Sequence, residues 1–163
     1  MKTLLIVYHS MTGGAAQMAA AVERGGAGES GIAVHRVAAV TAGPTEVLQA
    51  DGYVFVTPEN LASMSGMMKD FFDRTYYAAL DRLNGRPYAA LICAGSDGQN
   101  AARQIERICT GWRLKRVADT LIVSTHAQTP EEILAPKTIA PDDLARCEAI
   151  GAALAAGLAL GVF

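Results

Sequence analysis

Leu4-Leu5-Ile6-Val7-Tyr8-His9-Ser10-Met11-Thr12-Gly13-Gly14-Ala15 is an apolar run that stops abruptly in hydroxyls and paired glycines, just before a helical pattern begins. It reads as a buried strand, a tight turn and a helix N-terminus. A helix start leaves backbone N–H groups unpaired and carries a partial positive charge. Ser10 and Thr12 add hydroxyl donors, and Gly13 and Gly14 let the backbone close around an anion, so a phosphate would sit well here. An ordinary strand-to-helix connection with Ser10 or Thr12 as its cap has the same pattern.

Outward from this stretch the chain alternates strand and helix. Ala15, Met18, Ala19 and Val22 recur at helical spacing, with Gly25-Gly26 as a stop. Ile32 to Val37 reads as a short second strand at an exposed edge, and Pro44 opens a brief helix through Gln49. Asp51-Gly52 turns the chain into a third strand, Tyr53 to Val56, ending at Thr57-Pro58. Met64, Met67, Met68, Phe71 and Phe72 then form an apolar helical stripe, opposite Lys69 with Asp73 and Asp70 with Arg74. Pro87 to Cys93 is the fourth strand. A helix carrying Ala101, Ile105, Ile108 and Trp112 follows, then a fifth strand from Asp119 to Thr125, and a last helix from near Pro141.

Strands separated by helices pair in parallel, because parallel neighbours need crossover connections. The expected fold is α/β: one doubly wound, five-stranded parallel sheet of order 2-1-3-4-5 in a single domain over residues 1–163. Ligands of such sheets bind outside the carboxyl ends of the strands at the switch point, here between strands one and three. The loops meeting there are Ser10 to Ala15, Pro58 to Ser63 and Ala94 to Asn100.

Composition narrows the partners. The chain has 163 residues, 51% of them hydrophobic, enough to bury a substantial core, and a net charge of -2 with Lys and Arg scattered. No nucleic-acid surface is expected from that distribution. The three cysteines, Cys93, Cys109 and Cys147, form no Cys-x-x-Cys pair and fit reduced packing residues. The first strand begins too early for a signal peptide, and the apolar tail from Ile150 falls short of a membrane span. A cytoplasmic protein without a membrane anchor is expected.

Tyr8 to Gly14, the stretch Thr57-Pro58-Glu59-Asn60-Leu61-Ala62-Ser63-Met64-Ser65-Gly66 continuing to Asp73, and Ala94-Gly95-Ser96-Asp97-Gly98 together resemble the flavodoxin-like FMN proteins. The NAD(P)H-dependent FMN and quinone reductase branch is the most similar. The resemblance runs from Met1 to about Ile122, and its most specific part is Pro58 to Asp73. It implies that Ser10, Met11, Thr12, Gly13, Gly14 and Ala15 surround the FMN phosphate. Pro58, Glu59, Asn60, Leu61, Ala62 and Ser63 would border one edge of the flavin, and Ala94, Gly95, Ser96, Asp97 and Gly98 its far pyrimidine side. Ala15 stands where many relatives have a further Thr, and Leu61 where they often have an aromatic residue. The implied phosphate site is thus one donor short, and the ring needs apolar cover or a partner subunit.

The activity this implies is transfer of hydride from NADH or NADPH through FMN to a quinone or another small acceptor. FMN carries out such redox chemistry itself, so no side-chain nucleophile is expected. His9, Glu59 and His126, the titratable groups near strand ends, read as loop residues, and Asp97 as a helix cap. A one-electron flavodoxin and a domain that has lost FMN are the alternatives. Thr57 to Met64 contains no glycine and only Asn60 tolerates the left-handed region, which argues against the flavodoxin-type peptide flip. A phosphoacceptor receiver domain would need acidic residues where His9-Ser10 and Thr57-Pro58 stand, and no Gly-x-Gly-x-x-Gly marks a Rossmann enzyme. The long connection His126 to Ala140 suggests a homodimer or homotetramer in which it, or the third helix, closes a neighbouring subunit's pocket.

Overall fold

The computed structural model describes residues 1–163. Apolar residues of both parities run along its central strands: Leu5, Val7, Tyr53, Phe55 and Ile92 bury toward one side, Leu4, Ile6, Val54, Val56 and Leu91 toward the other. A strand buried on both faces requires a helical layer on each. The first face carries α2 (Pro44–Gln49), α3 (Gly66–Ala79) and α4 (Gln99–Gly111), and the second α1 (Gly14–Ala27) and α6 (Pro141–Leu160). Phe55, Phe71, Phe72 and Trp112 pack with ring centroids 5.1–6.5 Å apart at the heart of the first layer.

The sheet comprises β1 (Lys2–Tyr8), β2 (Ile32–Ala38), β3 (Gly52–Asn60), β4 (Ser63–Met64), β5 (Pro87–Ala94), β6 (Lys115–Arg116) and β7 (Leu121–Ser124). Its backbone order is β2-β1-β3-β5, and β6 and β7 share the far edge of β5. All these pairings are parallel. The five positions of the expected 2-1-3-4-5 order are therefore present, with two differences that raise the strand count to seven. The fifth position is interrupted: Arg116 pairs with Tyr88 and Leu121 with Leu91, so Ala89 and Ala90 face the longer stretch Val117 to Thr120, which leaves the ladder. The third strand does not end at Pro58 but continues to Asn60 and returns as antiparallel β4.

Gly25-Gly26 does not stop α1, which continues to Ala27. A Cβ on Gly25 would lie 1.9 Å from the Glu148 carbonyl oxygen, and one on Gly151 would lie 2.0 Å from that of Val22. These glycines let α1 and α6 meet backbone to backbone. In the third helical segment Met64 lies in β4 rather than the helix, Ser65 is the cap, and Met67 is only half-buried. Its Lys69–Asp73 and Asp70–Arg74 pairs form at 2.6 and 2.7 Å. A short helix not expected from the sequence, α5 (Pro130–Leu134), interrupts the long segment before α6 and is opened by a Thr129–Glu132 capping box. No helix is long and apolar enough to cross a membrane.

Candidate active site at the switch point

β1 and β3 lie side by side, yet their following helices leave on opposite faces of the sheet, so a crevice opens beyond Tyr8 and Thr57. The turn after β1 forms its first wall. Gly13 caps α1 with φ 96°, a left-handed conformation that favours glycine. Ser10 Oγ accepts the Gly13 amide at 3.0 Å and retains its own proton for a ligand. The amides of Gly14, Ala15 and Ala16 have no backbone partner. Three unpaired donors at a helix start make an anion seat.

The β3–β4 hairpin forms the second wall. Asn60 pairs with Ser63, which leaves only Leu61 and Ala62 to reverse the chain. Two-residue hairpin turns that match the twist of their strands are types I′ and II′, and type I′ takes positive φ at both positions, as Leu61 and Ala62 do at φ 49° and 60°. The expectation that Asn60 alone would visit this region is thus wrong. Register dictates the left-handed backbone whatever residues occupy the turn. The lack of glycine therefore says nothing about electron number.

The hairpin is bound to the start of α4, beside the third wall. Glu59 accepts the amides of Gly98 at 2.8 Å and Ala101 at 3.1 Å. Gln104 Oε1 accepts from the Met64 amide at 2.8 Å and from Ser63 Oγ at 3.1 Å, and Asn100 donates to the Ala62 carbonyl. Asp97 is exposed and does not cap α4. The cap is Gly98 at φ 79°, and the carboxylate at that helix end belongs to Glu59.

Together these walls enclose a pocket of about 480 Å³. Ser10, Met11, Thr12, Gly14, Ala15, Pro58, Glu59, Asn60, Leu61, Ala62, Ala94, Gly95 and Ser96 line it, all from the three expected loops. Gly13, Ser63, Asp97 and Gly98 do not. Gly13 and Gly98 instead shape the turns beneath the pocket, and Ser63 faces Gln104.

A fourth wall comes from the segment after β7, through Thr125, Ala127, Gln128, Ile133 and Lys137 of the same chain. Its only advance signal was the unusual length of the connection. Gln17 staples it to the first turn, donating to the carbonyls of Gly13 at 3.0 Å and Lys137 at 2.7 Å and accepting the Ile139 amide at 3.0 Å. Lys137 Nζ donates to the carbonyls of Glu132, Ile133 and Ala135 at 2.6–2.9 Å, closing the end of α5. Both charged residues lining the pocket are thus engaged by backbone. Cys93 also lines it, but burial pushes its thiol up to about 11, which keeps it protonated and unreactive. His9 lies outside the pocket lining, and burial holds its imidazole below the usual histidine range.

A doubly wound parallel sheet with an amide-lined turn at its switch point defines a flavodoxin-like α/β protein. Within that class the chain belongs to the NADPH-dependent FMN reductase family, whose sequence model matches residues 29–128. It is 35% identical to an NAD(P)H dehydrogenase (quinone) of Acidithiobacillus ferrooxidans in a match that covers 46% of this chain and 48% of the relative. The match thus spans about half the length of that curated relative. Among solved structures it is similar to a flavodoxin from the domain Archaea, with TM-score 0.74 and 17% identity over 96% of this chain and 99% of that one. A flavodoxin of Streptococcus pneumoniae gives TM-score 0.74 and 20% identity over 94% and 98% of the two chains. The flavodiiron core from Synechocystis gives 0.76 and 20% over 98% of this chain and 36% of its own. At these identities the structural likenesses establish the fold.

Proposed function

We propose that the pocket binds FMN and that the protein is an oxidoreductase passing electrons from NADH or NADPH to a quinone or another small acceptor. The observation that carries this reading is the row of unpaired amides at Gly14, Ala15 and Ala16, opening into a pocket at the ends of β1, β3 and β5. The residues present fit the cofactor. Ser10, Thr12 and those amides would hold the phosphate, with Ala15 contributing only its backbone. Pro58 to Ala62 and Ala94 to Ser96 would border the ring. Met11, Leu61 and Ile133, all exposed, supply an aliphatic and thioether cover where an aromatic residue is absent. FMN, when bound, supplies the redox chemistry. The chain's own part is to bind it, orient it and exclude water, and the engaged state of Glu59 and Lys137 agrees with a site that needs no side-chain acid or base.

The family and the quinone dehydrogenase relative support the nicotinamide donor and the acceptor class. A one-electron carrier is the second reading, favoured by the flavodoxins whose structures match this chain over nearly their whole length. Anaerobic addition of NADPH or NADH to the FMN-loaded protein separates the two: full bleaching of the flavin absorbance supports the reductase, and no bleaching by either donor supports the carrier. We further propose a homodimer or homotetramer, for which the outer face of α3, with Tyr77 strongly exposed, is an available surface. Sedimentation as a monomer at micromolar concentration with full activity would contradict it.

A further inference from the structure

Apart from Met1 at the N-terminus, which is 93% exposed, Met11 stands apart from the chain's other methionines. Met18 and Met68 are 0% exposed and Met64 is 3% exposed, whereas Met11 is 63% exposed on the rim of the pocket. Its Sδ accepts a hydrogen bond from Asn60 Nδ2 at 3.1 Å. The sulfur therefore bridges the turn after β1 and the β3–β4 hairpin across the mouth. Exposed thioethers are the methionines that peroxides oxidise, and the sulfoxide is reversible by dedicated reductases.

We propose that Met11 is a reversible oxidation site controlling the polarity of the pocket mouth, with hydrogen peroxide as the oxidant. The sulfur lone pair attacks one peroxide oxygen, the S–O bond forms as the O–O bond breaks, and the departing hydroxide takes the proton of the sulfur-bound hydroxyl, leaving the sulfoxide and water. Sulfur loses two electrons and the peroxide gains them. The product replaces a weak thioether acceptor with a stronger sulfoxide oxygen beside the Asn60 amide, and turns an apolar rim residue polar. While reduced, the Asn60 N–H occupies a sulfur lone pair and slows the attack. The arm of the test that involves FMN rests on the function proposed above. The order of oxidation does not.

The test exposes the ligand-free protein to hydrogen peroxide and follows each methionine by tandem mass spectrometry. Met11 and Met18 share the tryptic peptide Thr3 to Arg24, so Met18 is an internal buried control. Met11 should gain oxygen roughly tenfold or more faster than Met18, Met64 and Met68, and methionine sulfoxide reductase should reverse it. Asn60→Ala should raise the Met11 rate about twofold or more by freeing the lone pair. A Met11 rate equal to that of Met18 would overturn the proposal, as would an Asn60→Ala rate no higher than the wild type's. With saturating FMN the Met11 rate should fall. FMN that binds, by quenching of its fluorescence, without protecting Met11 would remove Met11 from the mouth, whereas FMN that does not bind would defeat the proposed function and leave the oxidation order standing.

Discussion

Glu59 Oε1 accepts the amide of Gly98 at 2.8 Å, so a carboxylate at the end of β3 sits on the N-terminus of α4. With Oε2 accepting the Ala101 amide, Glu59 satisfies two donors that the helix start leaves open and places a negative charge where the helix dipole favours it. Two walls of the pocket thereby become one rigid piece. Glu59→Ala should lower stability by about 1–3 kcal/mol and weaken FMN, with Glu59→Gln between it and the wild type. Urea unfolding and FMN fluorescence titration of both variants measure this, and unchanged FMN affinity in Glu59→Ala would show that the two walls do not depend on the tie.

The phosphate seat makes a separate prediction. Riboflavin, which lacks the phosphate, should bind far more weakly than FMN, and Thr12→Val should weaken FMN by roughly 1–3 kcal/mol through loss of a hydrogen bond to a charged group. Calorimetric titration with both flavins checks it. Equal affinities would reject the amide row as the anion site.

Leu61 and Ala62 hold a left-handed turn that neither favours. Replacing them together, Leu61→Asn with Ala62→Gly, supplies the pair preferred in such turns and should raise stability by about 1–2 kcal/mol. A higher urea midpoint at unchanged slope is the expected readout. A lower midpoint would mean that the fully exposed Leu61 side chain makes a stabilising contact in solution.

At the back of the molecule, Gly25→Ala and Gly151→Ala each push a methyl into a facing carbonyl at about 2 Å. Each should cost about 3 kcal/mol or more, because backbone rather than a flexible side chain must move. Thermal unfolding would register this as a large drop, while Gly85→Ala, also at a glycine but with nothing near it, tests only the strain of its left-handed backbone.

The cysteines predict an alkaline limit. Burial raises the thiols of Cys93 and Cys147 to about 11 from an ordinary 9, and raises Cys109 as well. Thiols with raised folded values stabilise fully below the unfolded value, and that contribution is lost as pH climbs from 9 toward 11. Stability should therefore be flat from pH 7 to about 8.5 and fall above it, with thiol-reactive reagents labelling Cys93 slowly until the protein is unfolded. Rapid labelling of folded protein at pH 8 would contradict the burial of that sulfur.

Local chemistry made most of the architecture legible. Alternating apolar strands, the stripe through Phe71 and Phe72, Pro44 and Pro141 at helix starts, and Gly13-Gly14 after β1 each carry their meaning within a few residues, so strand order and the position of the crevice followed from them. What stayed hidden depends on partners distant along the chain. Gly25 looks like a stop signal until Glu148 is seen beside it, and Asp97 looks like a cap until Glu59 arrives from another strand. Leu61 and Ala62 turn left-handed because Asn60 and Ser63 are held in register, against their own preference. The wall from Thr125 to Lys137 is placed by Gln17, more than a hundred residues earlier. Backbone preferences and hydrophobic period are properties of neighbours in sequence, whereas close approach, capping across elements and hairpin register exist only once the sheet has brought those segments together.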